Sequence, residues 1–239
     1  MFDDPNLVSC AGLAPVVALG QRCGLSWLVA DKLTVARTGG VNAAVKVPAL
    51  VAGMVAGADS IEDMDLLRHG GMGRLFAGVR APSTLGTFLR SFTFGHVRQL
   101  DSVASAFLSR LAAASPLLPR VGQVAYVDVD DMVREVHGYA KQGVGFGYSG
   151  VKGLNALIGT VSTPSAAPVI AATRLRKGSV NSARGAARLI ADALVTAHSV
   201  GAGGPDGRGL VLLRADSAFF TYDVIAAARR GGAPRSPPG

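Results

Sequence analysis

Three aspartates crowd a single apolar strand. In VAYVDVDDMV (124–133) hydrophobic and polar residues alternate, so Tyr126, Asp128 and Asp130 share one face, Val127 and Val129 share the other, and Asp131 lies beside them. A carboxylate within such a strand needs compensation, because desolvating an ion is costly. Asp216 makes the same demand at the end of the continuous apolar run LVLLRA (210–215). If the two strands are neighbours, the carboxylates converge and repel unless a cation lies between them. Hard oxygen donors with open coordination positions suit Mg²⁺ or Mn²⁺. A pair of such ions about 4 Å apart activates a water or a 3′-hydroxyl and stabilises the leaving oxygen of a phosphodiester. Taken singly, each residue also has a plainer role: Asp128 on a solvated face, Asp216 capping the helix that follows.

The elements that must hold these residues fall into two groups. The first part of the chain reads helical. An apolar stretch, Val41 to Ala58, is interrupted by Asn42, Lys46 and Pro48 and reads as a buried Ala/Gly-rich helix rather than a membrane span, which needs about 20 predominantly apolar residues. Ser60 and Asp63 have the spacing of a capping box, followed by Ile61, Met64 and Leu67 at helical spacing. Pro82-Ser83 starts a helix with Leu85, Phe88, Leu89 and Phe92 on one stripe, and Gly95 is expected to break it. A further helix is expected from Val97 to Ala112, with Val97, Leu100, Ala104, Phe107, Leu108 and Leu111 inward. Helix, short turn, helix is the outline of a helix-turn-helix, and Arg90 and Arg98 stand on it where DNA phosphates could be met.

After AAASPLLP (112–119) the pattern changes. Strands are expected at 124–133, 155–162, 168–175 and 210–215, the last buried on both faces, with helices at 183–199 and 221–230. Ala183, Ala186, Ile190, Leu194 and Ala197 form the inward face of the first of these helices. Strands, helix, strand, helix is an α/β order that does not fit a doubly wound sheet. Gly145, Gly147 and Gly150 match a dinucleotide fingerprint in form only, since no clear strand precedes them and no helix follows, so a hairpin or loop is expected there. His137 follows the acidic strand, and Tyr139, Phe146 and Tyr148 stand among the glycines, where loop packing competes with base stacking.

Composition narrows the partner. Hydrophobic residues make up 49% of the 239 and charged residues 17%, which implies packed cores, while 24 Lys+Arg against 16 Asp+Glu gives a net charge of +8. That excess favours a polyanion, because neutralising phosphates releases counterions. Cys10 and Cys23 have no ligand-spaced neighbours and imply neither a metal site nor a disulfide framework. With no basic leader at Met1-Phe2-Asp3-Asp4, a cytoplasmic protein without membrane attachment is expected.

The ordered series VAYVDVDDMV with His137-Gly138, RLRKGSVNSARGA (174–186) and VLLRADSAFF (211–220) resembles the catalytic half of bacterial insertion-sequence transposases of the DDE class. PSTLGTFLRSF (82–92) and GMVAGADSIEDMDLLRHG (53–70) resemble the same group, so the likeness runs from about residue 7 to residue 230. It implies a helical DNA-binding and assembly region at 1–119, an incomplete RNase H-like mixed sheet with flanking helices at 120–230, and a disordered tail at 231–239. It also implies Asp130 as the first metal-binding acid, with Asp128 the adjacent candidate, and Asp216 as the second, on two Mg²⁺ or Mn²⁺ ions. Arg176, Lys177, Asn181 and Arg184 are then placed to meet the DNA backbone, although helix capping by Ser182 is an equally simple role for that loop. The implied partners are double-stranded DNA, as terminal inverted repeats and target, and further copies of the chain on that DNA, in a bacterial nucleoid setting.

One departure matters. The family's third acid is a glutamate well downstream of the second aspartate, whereas Glu62 and Glu135 are the only glutamates here, and Asp223 is the sole acid after Asp216. The resemblance therefore implies a truncated transposase with weakened metal binding and no strand transfer by this chain alone. Two alternatives stay open: a non-catalytic DNA-binding remnant that inhibits transposition, and a complete RNase H-like nuclease using Asp128 as its further acid.

Overall fold

The alternation that begins at Val124 produces a twelve-residue strand, β1 (Val124–Glu135), and around it a mixed sheet assembles. The computed structural model describes residues 4–35, 41–76, 78–137, 142–147 and 150–232. Two compact units divide it, Met1–Leu111 and Ala112–Gly239. Of the tail expected to be disordered at 231–239, Gly231 and Gly232 instead belong to the last helix, and the rest lies outside the described residues, as do Tyr139 and Tyr148.

In the second unit, β2 is the short Gly145–Phe146, β3 is Lys152–Thr163 and β4 is Ala166–Lys177. A helix, here α7 (Ala186–Ser199), leads to β5 (Leu210–Ala215), a single 3₁₀ turn (Ser217–Phe219) and α8 (Tyr222–Gly232). β1 pairs antiparallel with β3, which pairs antiparallel with β4 and, at its first residues, with β2. β5 returns on the other edge of β1 and runs parallel to it. The α/β class and the mixed sheet with flanking helices thus match the expectation. The strands are longer than the periodicity suggested, because β3 and β4 continue through a tight turn at Pro164 and Ser165.

The core lies between one face of this sheet and α7. Val127, Val129, Leu157 and Val161 meet Leu189, Ile190 and Ala193, with Phe219 and Val224 closing the end. A Cβ at Gly159 would come within 3.0 Å of the Ala193 Cβ, so the missing side chain is what lets α7 settle onto β3. The apolar run of β5 implies burial on both faces, and here the structure differs. Val211 and Leu213 point to the core side, whereas Leu210 and Leu212 are 51% and 40% exposed on the other. β5 is an edge strand with one covered face, so its hydrophobicity does not report two-sided packing.

The first unit is helical: α1 (Leu13–Arg22), α2 (Leu25–Lys32), α3 (Ala43–Val55), a 3₁₀ helix (Glu62–Leu67), α4 (Met72–Leu75) and α5 (Pro82–Arg90). The last of the helices, α6 (Phe94–Ala114), extends across the division. Leu28, Leu67, Met72, Leu85 and Phe88 are fully buried in its core. The capping box is real: Asp63 accepts from the Ser60 backbone N–H and hydroxyl, each at 2.8 Å. It opens a 3₁₀ helix, however, not an α-helix. The break expected at Gly95 occurs at Ser91–Thr93 instead, where the Thr93 N–H donates to His96 Nδ1 (3.0 Å) and Gly95 enters the first turn of α6. Val97, expected inward, is 41% exposed, and Val103 and Leu108 are the buried residues of α6.

Among the described residues no single helix is long and apolar enough to cross a membrane, though α1 and α2 pass that test as a pair bent by 50°.

Candidate functional site

Register decides which carboxylates can meet. β1 and β5 pair in parallel with Tyr126 beside Leu212, Asp128 beside Arg214 and Val129 beside Ala215. The next residues on the two strands are Asp130 and Asp216. Asp216 keeps an extended backbone (φ −73°, ψ 175°), so the line of β5 continues through it. Neighbouring strands lie about 4.8 Å apart. Asp130 and Asp216 are therefore the residues that follow the last paired positions at the carboxyl ends of β1 and β5, and both are exposed.

Each acid also has a local partner. Asp130 Oδ1 accepts from the Asp131 N–H (2.8 Å). Asp216 Oδ1 accepts from the Ala218 N–H (2.9 Å) and caps the 3₁₀ turn, the plainer role that its position allowed. Phe219, 1% exposed, pins that turn to the core.

Asp128 is differently engaged. Both of its oxygens are held by Arg214, Oδ1 by Nε at 2.5 Å and Oδ2 by Nη2 at 2.7 Å. The guanidinium lies 4.2 Å from the centre of the Tyr126 ring, and the hydrogen bonds that it donates to Asp128 raise its pKa above its ordinary range. Arg214 went unread in the sequence. Its signal was present: it stands two residues before Asp216 as Asp128 stands two before Asp130, and in-register parallel strands bring such positions together.

Asp131 points to the opposite face, into a polar cluster. Its Oδ2 accepts from Asn155 Nδ2 (2.5 Å), Arg176 Nη2 (3.0 Å) and Ser182 Oγ (3.4 Å). The Arg176 side chain is only 7% exposed. Burial lowers its pKa, opposed by the charge of Asp131. Its Nη1 donates to the carbonyls of Ser182 (2.8 Å) and Arg184 (2.6 Å), so this side chain is committed inside the chain. Asn181 Oδ1 accepts from the Ala183 N–H (2.9 Å). Lys177 and Arg184 expose their side chains on either side of this loop.

In the other unit Arg90 is exposed, with a long contact to Thr87 Oγ1 (3.3 Å), and Arg98 pairs with Asp101 (2.7 Å). His137 is exposed after β1. Gly147 and Gly150 sit in the turn between β2 and β3, as the hairpin reading expects.

The chain matches no family model, no curated protein and no solved structure.

The donor set therefore has to speak for itself. Among the described residues no group of three or more His, Cys, Asp or Glu is arranged to hold a metal ion. Asp130 and Asp216 offer two exposed carboxylates, which fits a hard cation that keeps most of its water, as Mg²⁺ does. Asp128 fits less well, since a cation would have to displace Arg214 from both oxygens.

Proposed function

We propose that the second unit is an RNase H-like catalytic sheet of the DDE transposase type and that the chain acts on DNA. The observation that supports this reading is the parallel pairing of β1 with β5, whose last register pair, Val129 with Ala215, is followed by Asp130 on one strand and by Asp216 after the other. Three antiparallel strands, a helical crossover and a fourth strand parallel to the first support it, as does the net charge of +8.

On this reading Asp130 and Asp216 would hold Mg²⁺ or Mn²⁺, which when bound supplies an activated water or 3′-hydroxyl for attack on a phosphodiester. Asp128 keeps Arg214 beside the acids as a neutralised pair. Exposed Lys177 and Arg184, with Arg90 in the first unit, would neutralise backbone phosphates. With Asp128 committed to Arg214 and no group of three or more metal-holding residues among those described, the chain would bind duplex DNA and leave it uncut. This favours the non-catalytic remnant over a self-sufficient nuclease.

Mn²⁺ titration followed by NMR tests the site, because the ion broadens nearby amide signals. Broadening at 129–131 and 215–217 that disappears in Asp130→Asn and in Asp216→Asn, and survives in Asp128→Asn, is the expected result. Unbroadened signals in the unaltered chain would remove the metal reading, and DNA nicked by the chain with Mg²⁺ would remove the non-cleaving one.

A further inference from the structure

We propose that Arg176 is a positioning residue: it clamps the loop from Gly178 to Gly185 onto β1 and β3 so that Lys177 and Arg184 are presented together to a phosphodiester backbone. The proposal rests on the DNA reading above and assigns Arg176 a different part in it from the direct phosphate contact expected from sequence.

All three guanidinium nitrogens are used. Nε donates to Asn155 Oδ1 (2.9 Å), Nη2 donates to Asn155 Oδ1 (2.5 Å) and Asp131 Oδ2 (3.0 Å), and Nη1 reaches the carbonyls of Asn181 (3.3 Å), Ser182 and Arg184. Two of these acceptors belong to the sheet and three to the loop, so one planar fork joins them. Lysine has a single flexible ammonium and cannot bridge both sets at once. Loops normally point their polar groups to water. Here three carbonyls turn inward, and the backbone that follows is set by Gly185 in the left-handed region (φ 81°).

The outward side is cationic and only partly balanced. Arg174 and Arg188 both pair with Asp192, each at 3.2 Å. Among the described residues Lys177 and Arg184 have no acid partner. Two unbalanced cations on a loop fixed from beneath form a site for a polyanion, and the fixing is what makes them act together. The Asp131 amide also donates to Asp130. The same cluster therefore reaches the acid end of β1.

The test uses the full chain and a random-sequence DNA duplex, with affinity measured across salt concentrations. Each phosphate contact contributes about −0.9 to the slope of log K against log salt. Arg176→Lys is expected to flatten the slope by about 1.8, the worth of two contacts, and to raise amide exchange at 178–185 at least tenfold while β1 and β3 keep their protection. Lys177→Ala with Arg184→Ala should flatten it equally without raising exchange, and should add nothing in the Arg176→Lys background. A lower folded fraction alone would change apparent affinity and leave the slope intact. Should Arg176→Lys fail to fold, Asp131→Asn loosens the same clamp with the Arg retained. An unchanged slope, or a full further loss on combining the variants, overturns the proposal. If the unaltered chain binds no duplex, the DNA reading itself falls, and loop exchange alone then decides whether the clamp exists.

Discussion

Asp131→Ala tests whether the Asp131–Arg176 pair is a stabilising part of the sheet. The substitution removes the one carboxylate that, among the described residues, faces Arg176, and leaves the guanidinium against Asn155 Oδ1 and loop carbonyls. The two side chains are 7% and 15% exposed, so water can recover little of the lost interaction. Stranding a buried charge costs about 3–5 kcal/mol, and the residual access at Asp131 argues for the lower end. With an m-value of about 2 kcal/mol/M, a loss of 3 kcal/mol moves the urea midpoint of the second unit down by about 1.5 M. Trp27, the sole tryptophan, belongs to the first unit, so the transition is best followed through amide exchange of β1 and β3. Arg176→Met should be costly too, yet the double variant should lose less than the sum by about 2 kcal/mol, because no ion is left unpaired. A midpoint shift below about 0.5 M, or losses that simply add, would refute the argument that the pair is buried in an energetic sense.

Two further outcomes are expected. Gly153→Ala places a Cβ against the Arg134 carbonyl and the Val133 side chain, forcing β1 and β3 apart at their ends, and should cost about 1–3 kcal/mol; an unchanged thermal midpoint of the second unit would contradict this close approach. In the first unit, hydrogen bonds from the Ser60 hydroxyl and backbone hold the Asp63 pKa below its ordinary 3.8. A depressed carboxyl stabilises the fold above its unfolded value and loses that contribution as pH falls through the folded one. Stability read from Trp27 fluorescence should therefore drop below pH 3.8 more steeply in the unaltered chain than in Asp63→Asn, and parallel curves would deny the cap any role.

Much of the sheet was legible because a period of two survives in β1, and because Asp216 closes an apolar run. Partner identity was not. Arg214 drew no reading from sequence, where it is one residue within an apolar run; only the register makes it the counter-ion of Asp128. Arg176 reads as a phosphate ligand within a basic loop, since nothing local says that Asn155 and Asp131 lie beneath it. The double burial of β5 was inferred from composition, which cannot separate an edge strand with one covered face from a central one. Ser60 and Asp63 were correctly paired, but a capping box fixes where a helix starts and not which helix follows.

The parallel seam between β1 and β5 also sets an order of assembly. Asp128 and Arg214 are 86 residues apart, whereas β1, β3 and β4 lie closer together along the sequence. Closing a long loop costs entropy before its contacts repay it. The pairings of β1, β3 and β4 can therefore form while β5 is still detached, and the end of the seam, where Asp130 and Asp216 follow the paired residues, depends on the docking of β5. A chain caught early would have a hydrogen-bonded sheet and no acidic pair.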